Sequence, residues 1–109
     1  MIDGLLGGAT AEKVLLYLAN YEEGYARGIS ECFEVPVNMV QKQLFRFEKA
    51  GVLVSRLRGR VRLYGWNPRY PFHEELAALL GKVLRLLPPD ERKKYFMDRT
   101  RPRRSGKPL

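Results

Sequence analysis

Near the start of the chain the apolar residues fall on one side of a helix. In the run 10–20, written TAEKVLLYLAN, Val14, Leu15 and Leu18 keep i, i+1, i+4 spacing, and Tyr21 extends it to i+7. Thr10 offers a hydroxyl as the cap of this helix. The Gly-rich residues 1–9 ahead of it read as flexible. Glu22-Glu23-Gly24 ends the helix, and a short one then fits 26–33, with Ile29, Cys32 and Phe33 as its apolar side. Glu34-Val35-Pro36 is a break, because proline suits the first turn of a helix and not its interior. A longer helix is predicted over 37–50. Val40, Leu44 and Phe47, at i, i+4, i+7, form its buried stripe, and Gly51 suits the stop position after it. Asn38, Gln41, Lys42 and Lys49 are left off that stripe.

The period then changes from about 3.6 to 2. VLVSRLR and RVRLYGW are short segments rich in β-branched and aromatic residues, with Gly59 between them, and they predict a hairpin. Asn67-Pro68 closes it. A further helix is predicted over 71–87, with Phe72, Leu76, Leu79, Leu80, Val83, Leu84 and Leu87 as an apolar stripe wider than one small core needs. Pro88-Pro89 stops it, and Asp90 can cap a short last helix to about residue 97. The end, DRTRPRRSGKPL, is basic and almost without apolar residues, and it reads as a disordered or partner-ordered tail. The chain thus divides into 1–87 and a terminal 88–109. The fold class expected is mainly α with a small two-stranded β-wing, a winged helix-turn-helix: helix, short helix, tight turn, longer helix, hairpin, helix.

Charge sharpens this picture. The 109 residues carry 20 Lys plus Arg against 12 Asp plus Glu, a formal net charge of +8. So basic a small domain points to a polyanion, either nucleic acid or an acidic membrane surface. In SRLRGRVRLY the arginines 56, 58, 60 and 62 stand at every second position. Arg56 and Arg58 share a face of the first strand, and Arg60 and Arg62 share a face of the second. A tight turn can bring both sets to one side, with Leu57, Val61 and Leu63 toward the other, the register following the turn. Charge also protects an exposed strand edge, but acids would do that too, and none lies between Gly51 and His73. Contact with phosphates or a minor groove is the favoured expectation.

Between about 9 and 70 the chain resembles the ArsR-like winged-helix regulators. ISECFEVP (29–36) stands as the positioning helix and turn, MVQKQLFRFEKAGVL (39–53) as the recognition helix and its exit, and RGRVRLY (58–64) with Trp66-Asn67-Pro68 as the wing. The resemblance implies a recognition helix from Val37 in the major groove of duplex DNA. Val37, Asn38, Gln41 and Lys42 would then meet base edges, with Gln43 and Arg46 nearer the backbone and Arg56, Arg58, Arg60 and Arg62 on the backbone from the wing. The residue types suit this: Asn or Gln pairs bidentately with adenine, Lys reaches guanine, and Val37 or Met39 could pack on a thymine methyl. The resemblance further implies a transcriptional regulator acting as a homodimer, with 71–87 as the dimerisation helix. Around NPRYPFHEEL the sequence is also similar to small winged-helix proteins that accompany minimal nucleotidyltransferase domains.

Other chemistry has little to build on. There is one cysteine, Cys32, and one histidine, His73, so neither a disulfide framework nor a metal-sensing cysteine cluster is expected. Glu22-Glu23 and Glu74-Glu75 are adjacent pairs that diverge on a helix, which is unsuited to paired acid–base work. No catalytic residue, metal or cofactor is expected, and enzyme activity is not. The start MIDGLLGGAT has too short an apolar stretch for a signal peptide and no long apolar run occurs, so a cytoplasmic location is expected. Two rivals remain open at this point: a protein-docking winged helix meeting an acidic partner, and an RNA-binding one stacking bases on Tyr64, Trp66 and Tyr70.

Overall fold

A computed structural model of the protein describes residues 1–96, so the expected tail lies outside the described residues. Helix α2 (Ala9–Tyr21) runs through the centre and buries Ala11, Val14, Leu15, Leu16 and Leu18. Its start departs from expectation. A one-turn helix, α1 (Asp3–Leu6), occupies the Gly-rich segment expected to be flexible, and Gly7 in the left-handed region ends it. The position before α2 is Gly8, not Thr10, and no side chain caps the helix. The stretch 1–9 is held by backbone hydrogen bonds from Gly7 and Gly8 to the Asp3 carbonyl, and by the Met1 ammonium on the buried Glu12 carboxylate at 3.1 Å.

Glu22 turns the chain with φ of 77°, and residues 23–25 form a strand, β1 (Glu23–Tyr25). Helix α3 (Ala26–Phe33) follows, burying Ile29 and Phe33. Glu34, left-handed at φ 57°, makes the tight turn into α4 (Val37–Lys49), which buries Val40, Leu44 and Phe47 as its pattern predicts. At the far end Gly51 (φ 86°) lets two hydrogen bonds close the helix, Gly51 N–H to the Glu48 carbonyl and Val52 N–H to the Phe47 carbonyl. This is the Schellman arrangement, which needs a residue free to adopt the left-handed region.

The hairpin is β2 (Leu53–Arg58) and β3 (Val61–Trp66). The sheet has three strands and not the two expected, in the order β1-β3-β2, all antiparallel. Glu-Gly-Tyr carries no alternation of its own; it is a strand because β3 offers it a free edge. Asn67 ties the base of the wing to the exit of α4, its side-chain N–H donating to the Gly51 carbonyl at 2.9 Å. Helix α5 (His73–Leu86) lies against α2 and buries Leu80 and Val83, with Leu87 behind them. Helix α6 (Pro89–Phe96) closes the same core, because Phe96 is buried against the rings of Tyr21 and Phe33. The expected boundary at 87/88 therefore marks a change of helix within one core.

Candidate nucleic-acid interface

The inward stripe of α4 leaves a well-defined outward face. With 3.6 residues per turn, Asn38, Lys42, Phe45, Arg46 and Lys49 fall on the side opposite Val40, Leu44 and Phe47, with Met39 on one flank and Gln41 on the other, and all seven are exposed. Val37, at the first position, is half-buried. Glu48 is the one acid of α4. It is half-buried and accepts a hydrogen bond from the Ser55 hydroxyl at 2.6 Å. The outward face thus carries amides and cations with no carboxylate among them, which is what a helix presented to a polyanion requires.

The wing differs from expectation in its sidedness. Arg58 pairs with Val61, leaving Gly59 and Arg60 as a two-residue turn, and Gly59 alone has positive φ (66°) there. That is the pattern of a type II′ turn. Arg56 pairs with Leu63 and Leu57 with Arg62, and residues directly opposite in a ladder share a face. So Arg56 and Arg58 stand with Val61 and Leu63, while Arg62 stands with Leu57 on the other face and Arg60 sits at the tip. The expected grouping of all four arginines on one side, with Leu57, Val61 and Leu63 on the other, does not occur. The two-residue turn fixes a register in which the two strands' arginines alternate out of phase. The four are nonetheless all exposed.

Arg62 links the wing to α4. Its guanidinium donates to the Ser55 hydroxyl at 3.1 Å, and Ser55 in turn donates to Glu48. Tyr64 lies beside this chain of contacts. Burial first, and the Glu48 carboxylate second, push its phenol above the ordinary tyrosine value, with Arg62 opposing. On the opposite face Arg56 approaches Glu23 of β1 at 3.9 Å, an exposed and therefore weak ion pair.

Arg46 on the outward side and half-buried Gln43 beside it are held by contacts within the chain. The Arg46 guanidinium donates to the Gln43 side chain at 3.0 Å and to the Leu6 carbonyl at 2.8 Å, and it lies 4.6 Å from the Phe47 ring centre. These two side chains join α4 to the α1–α2 connection. The sequence reading passed over Phe45, which is 67% exposed in the middle of the outward face. It also passed over Leu86, 59% exposed on α5. The signal for Phe45 was available: it is apolar yet falls outside the buried stripe.

The remaining candidates have structural partners. Trp66 donates its indole N–H to the Leu18 carbonyl at 3.0 Å, and Tyr64 and Tyr70 pack against the core. His73 begins α5 beside Trp66, with ring centres 6.1 Å apart. Cys32 is half-buried, with its sulfur 3.7 Å from the Tyr95 carbonyl. Among the described residues no group of three or more His, Cys, Asp or Glu side chains could hold a metal ion, and no helix is long and apolar enough to cross a membrane.

The fold is the winged helix of ZitR from Lactococcus lactis. An apo-form structure of a ZitR double variant matches with a TM-score of 0.54 and 18% identity, covering 78% of this chain and 73% of that one. A second structure of the variant gives 0.51 and 16%, covering 78% of this chain and 66% of that one. At such identities the likeness is one of fold. No family model and no curated protein matches the chain.

Proposed function

We propose that this chain is a sequence-specific duplex-DNA-binding protein and a transcriptional regulator of ArsR-like type, working as a homodimer in the cytoplasm. The observation that carries the reading is the solvent side of α4, where Asn38, Gln41 and Lys42 stand exposed while the helix's one acid is half-buried and bound by Ser55. In the complex α4 enters the major groove. Val37, Asn38, Gln41 and Lys42 meet base edges, whose donors and acceptors these side chains complement. Arg58 and Arg60 at the wing tip, with Arg56 and Arg62 on its two faces, lie along phosphates or a minor groove, and Gln43 and Arg46 flank the backbone. Arginines on both faces of a ribbon suit a wing with DNA on either side of it better than one lying flat on a surface. The partner is double-stranded DNA, with no catalytic step, metal or cofactor.

The homodimer is supported by α5. Phe72, Leu79 and Leu86 recur every seven residues, the repeat of a helix-pairing seam, beside Val83, which is buried in the protein's own core. Its two ends, Phe72 and Leu86, are 60% and 59% exposed. A second copy would cover both. Partial burial of Trp66, Tyr64 and Tyr70 against the core leaves less ring surface for the RNA-stacking rival. Selection from a randomised duplex library tests the reading. The expected outcome is a motif of two half-sites about one helical turn apart, and recovery of no preferred sequence contradicts it.

A further inference from the structure

Phe45 is the most exposed large apolar side chain of α4, 67% in solvent against 45% for Met39. It is not a stray surface residue at an arbitrary place. Asn38 stands two turns before it, Gln41 and Lys42 one turn before and Lys49 one turn after, all exposed on the same side. An aromatic ring framed by amides and ammonium groups, on a helix without a free acid, is matched to an apolar spot within a polyanionic groove. Duplex DNA has one such spot on its major-groove edge: the C5-methyl of thymine.

We propose that Phe45 is a specificity-determining residue that packs on a thymine methyl in the major groove, next to the base pairs read by Gln41 and Lys42. The inference rests on the duplex-DNA reading above and names the base that the third turn of α4 selects. Phe45 begins about 12 Å along the helix axis from Val37, at 1.5 Å per residue, which is close to the width of the major groove. A helix inserted from Val37 therefore still has Phe45 within the groove. Burying one methyl group against the ring favours thymine by about fourfold over the same base without it.

The test uses the full chain and a duplex that it selects from a random library. The site is then resynthesised with deoxyuridine replacing each thymine in turn, which deletes the C5-methyl and leaves every hydrogen-bonding edge intact. Wild-type protein is expected to lose about fourfold in affinity at one position per half-site. Phe45→Ala is expected to bind the thymine and deoxyuridine duplexes alike, whereas Phe45→Leu keeps part of the preference. Because Phe45 is exposed, circular dichroism and melting of Phe45→Ala should match wild type. Equal binding of the two duplexes by wild type overturns the inference, as does an undiminished preference in Phe45→Ala or a change of oligomeric state as its only effect. Failure of wild type to bind any duplex overturns the DNA reading itself, and so is distinct from failure of the Phe45 assignment.

Discussion

Gln41 and Lys42 are neighbours on one turn of α4 with nothing of their own chain holding them in the hydrogen bonds described, whereas Arg46 on the next turn is tied to Gln43 and Leu6. That contrast separates the side chains proposed to read bases from one that fastens the helix to the rest of the fold. Two kinds of variant should therefore behave differently. Gln41→Ala is expected to relax preference at one base position at a cost of about 1–3 kcal/mol for the preferred site. Arg58→Ala with Arg60→Ala is expected to weaken all duplexes alike and to reduce the salt slope by about 2. Affinity measured on preferred and scrambled duplexes checks this, and an equal loss of preference in both variants would contradict the division of labour. The exposure of Asn38, Gln41 and Lys42 was legible in the sequence because helical periodicity leaves them off the buried stripe. Phe45 lies outside the predicted stripe of Val40, Leu44 and Phe47, and its exposure follows from the same periodicity.

At the scale of elements, the wing and α4 are joined through Glu48, Ser55 and Arg62. Tyr64 reports on this junction. Its phenol is held above the ordinary value, so the neutral form is favoured by folding. The resulting stability is fully present below the unfolded pKa of about 10 and is lost as pH rises through the folded value. The difference between absorbance titrations of wild type and Tyr64→Phe should place Tyr64 above the ordinary tyrosine value, and Glu48→Gln should move it back only in part, since burial is the larger cause. The third strand makes a separate prediction. A Cβ at Gly24 of β1 would lie 2.6 Å from the Tyr17 ring, which is itself packed on Tyr21 and Phe33. Gly24→Ala should cost about 1–3 kcal/mol, or roughly 5–20 °C in melting temperature. A melting temperature equal to wild type would show that the sheet edge is not closed as described.

These junctions also mark where sequence reading stops. The helices at 26–33 and 37–50, the hairpin and its glycine turn could be read because each is specified by residues near in sequence. The strand Glu23–Tyr25 could not, because it exists only through pairing with residues some forty positions away, Glu23 with Gly65 and Tyr25 with Leu63. The sidedness of the arginines failed for a related reason. Alternation fixes which residues of one strand share a face, but the length of the turn fixes which faces coincide, and a two-residue turn sets Arg56 opposite Leu63. The helical turn at Asp3–Leu6 was hidden by its glycines, which end it instead of preventing it.

For the molecule as a whole, α5 offers two apolar sides, one covered by α2 and one that is not. Leu80, Val83 and Leu87 are buried, whereas Phe72 and Leu86 face outward. Phe72→Glu with Leu86→Glu should therefore leave the fold intact and yield a monomer by sedimentation velocity, with weakened binding to two half-sites. A dimer persisting in that variant would assign the interface elsewhere. The excess positive charge bears on the same scale, since a net charge of +8 drives association with a polyanion whatever the sequence it carries. The most direct test of the central claim is a fluorescence-anisotropy titration of labelled duplex DNA at several salt concentrations, with single-stranded RNA alongside. The account predicts duplex binding at low salt, tighter than to RNA, that falls linearly in log–log form with a slope of about −0.9 for each phosphate neutralised, hence about −4 or steeper if all four wing arginines engage. No duplex binding at low salt, or tighter binding to the RNA, would contradict it.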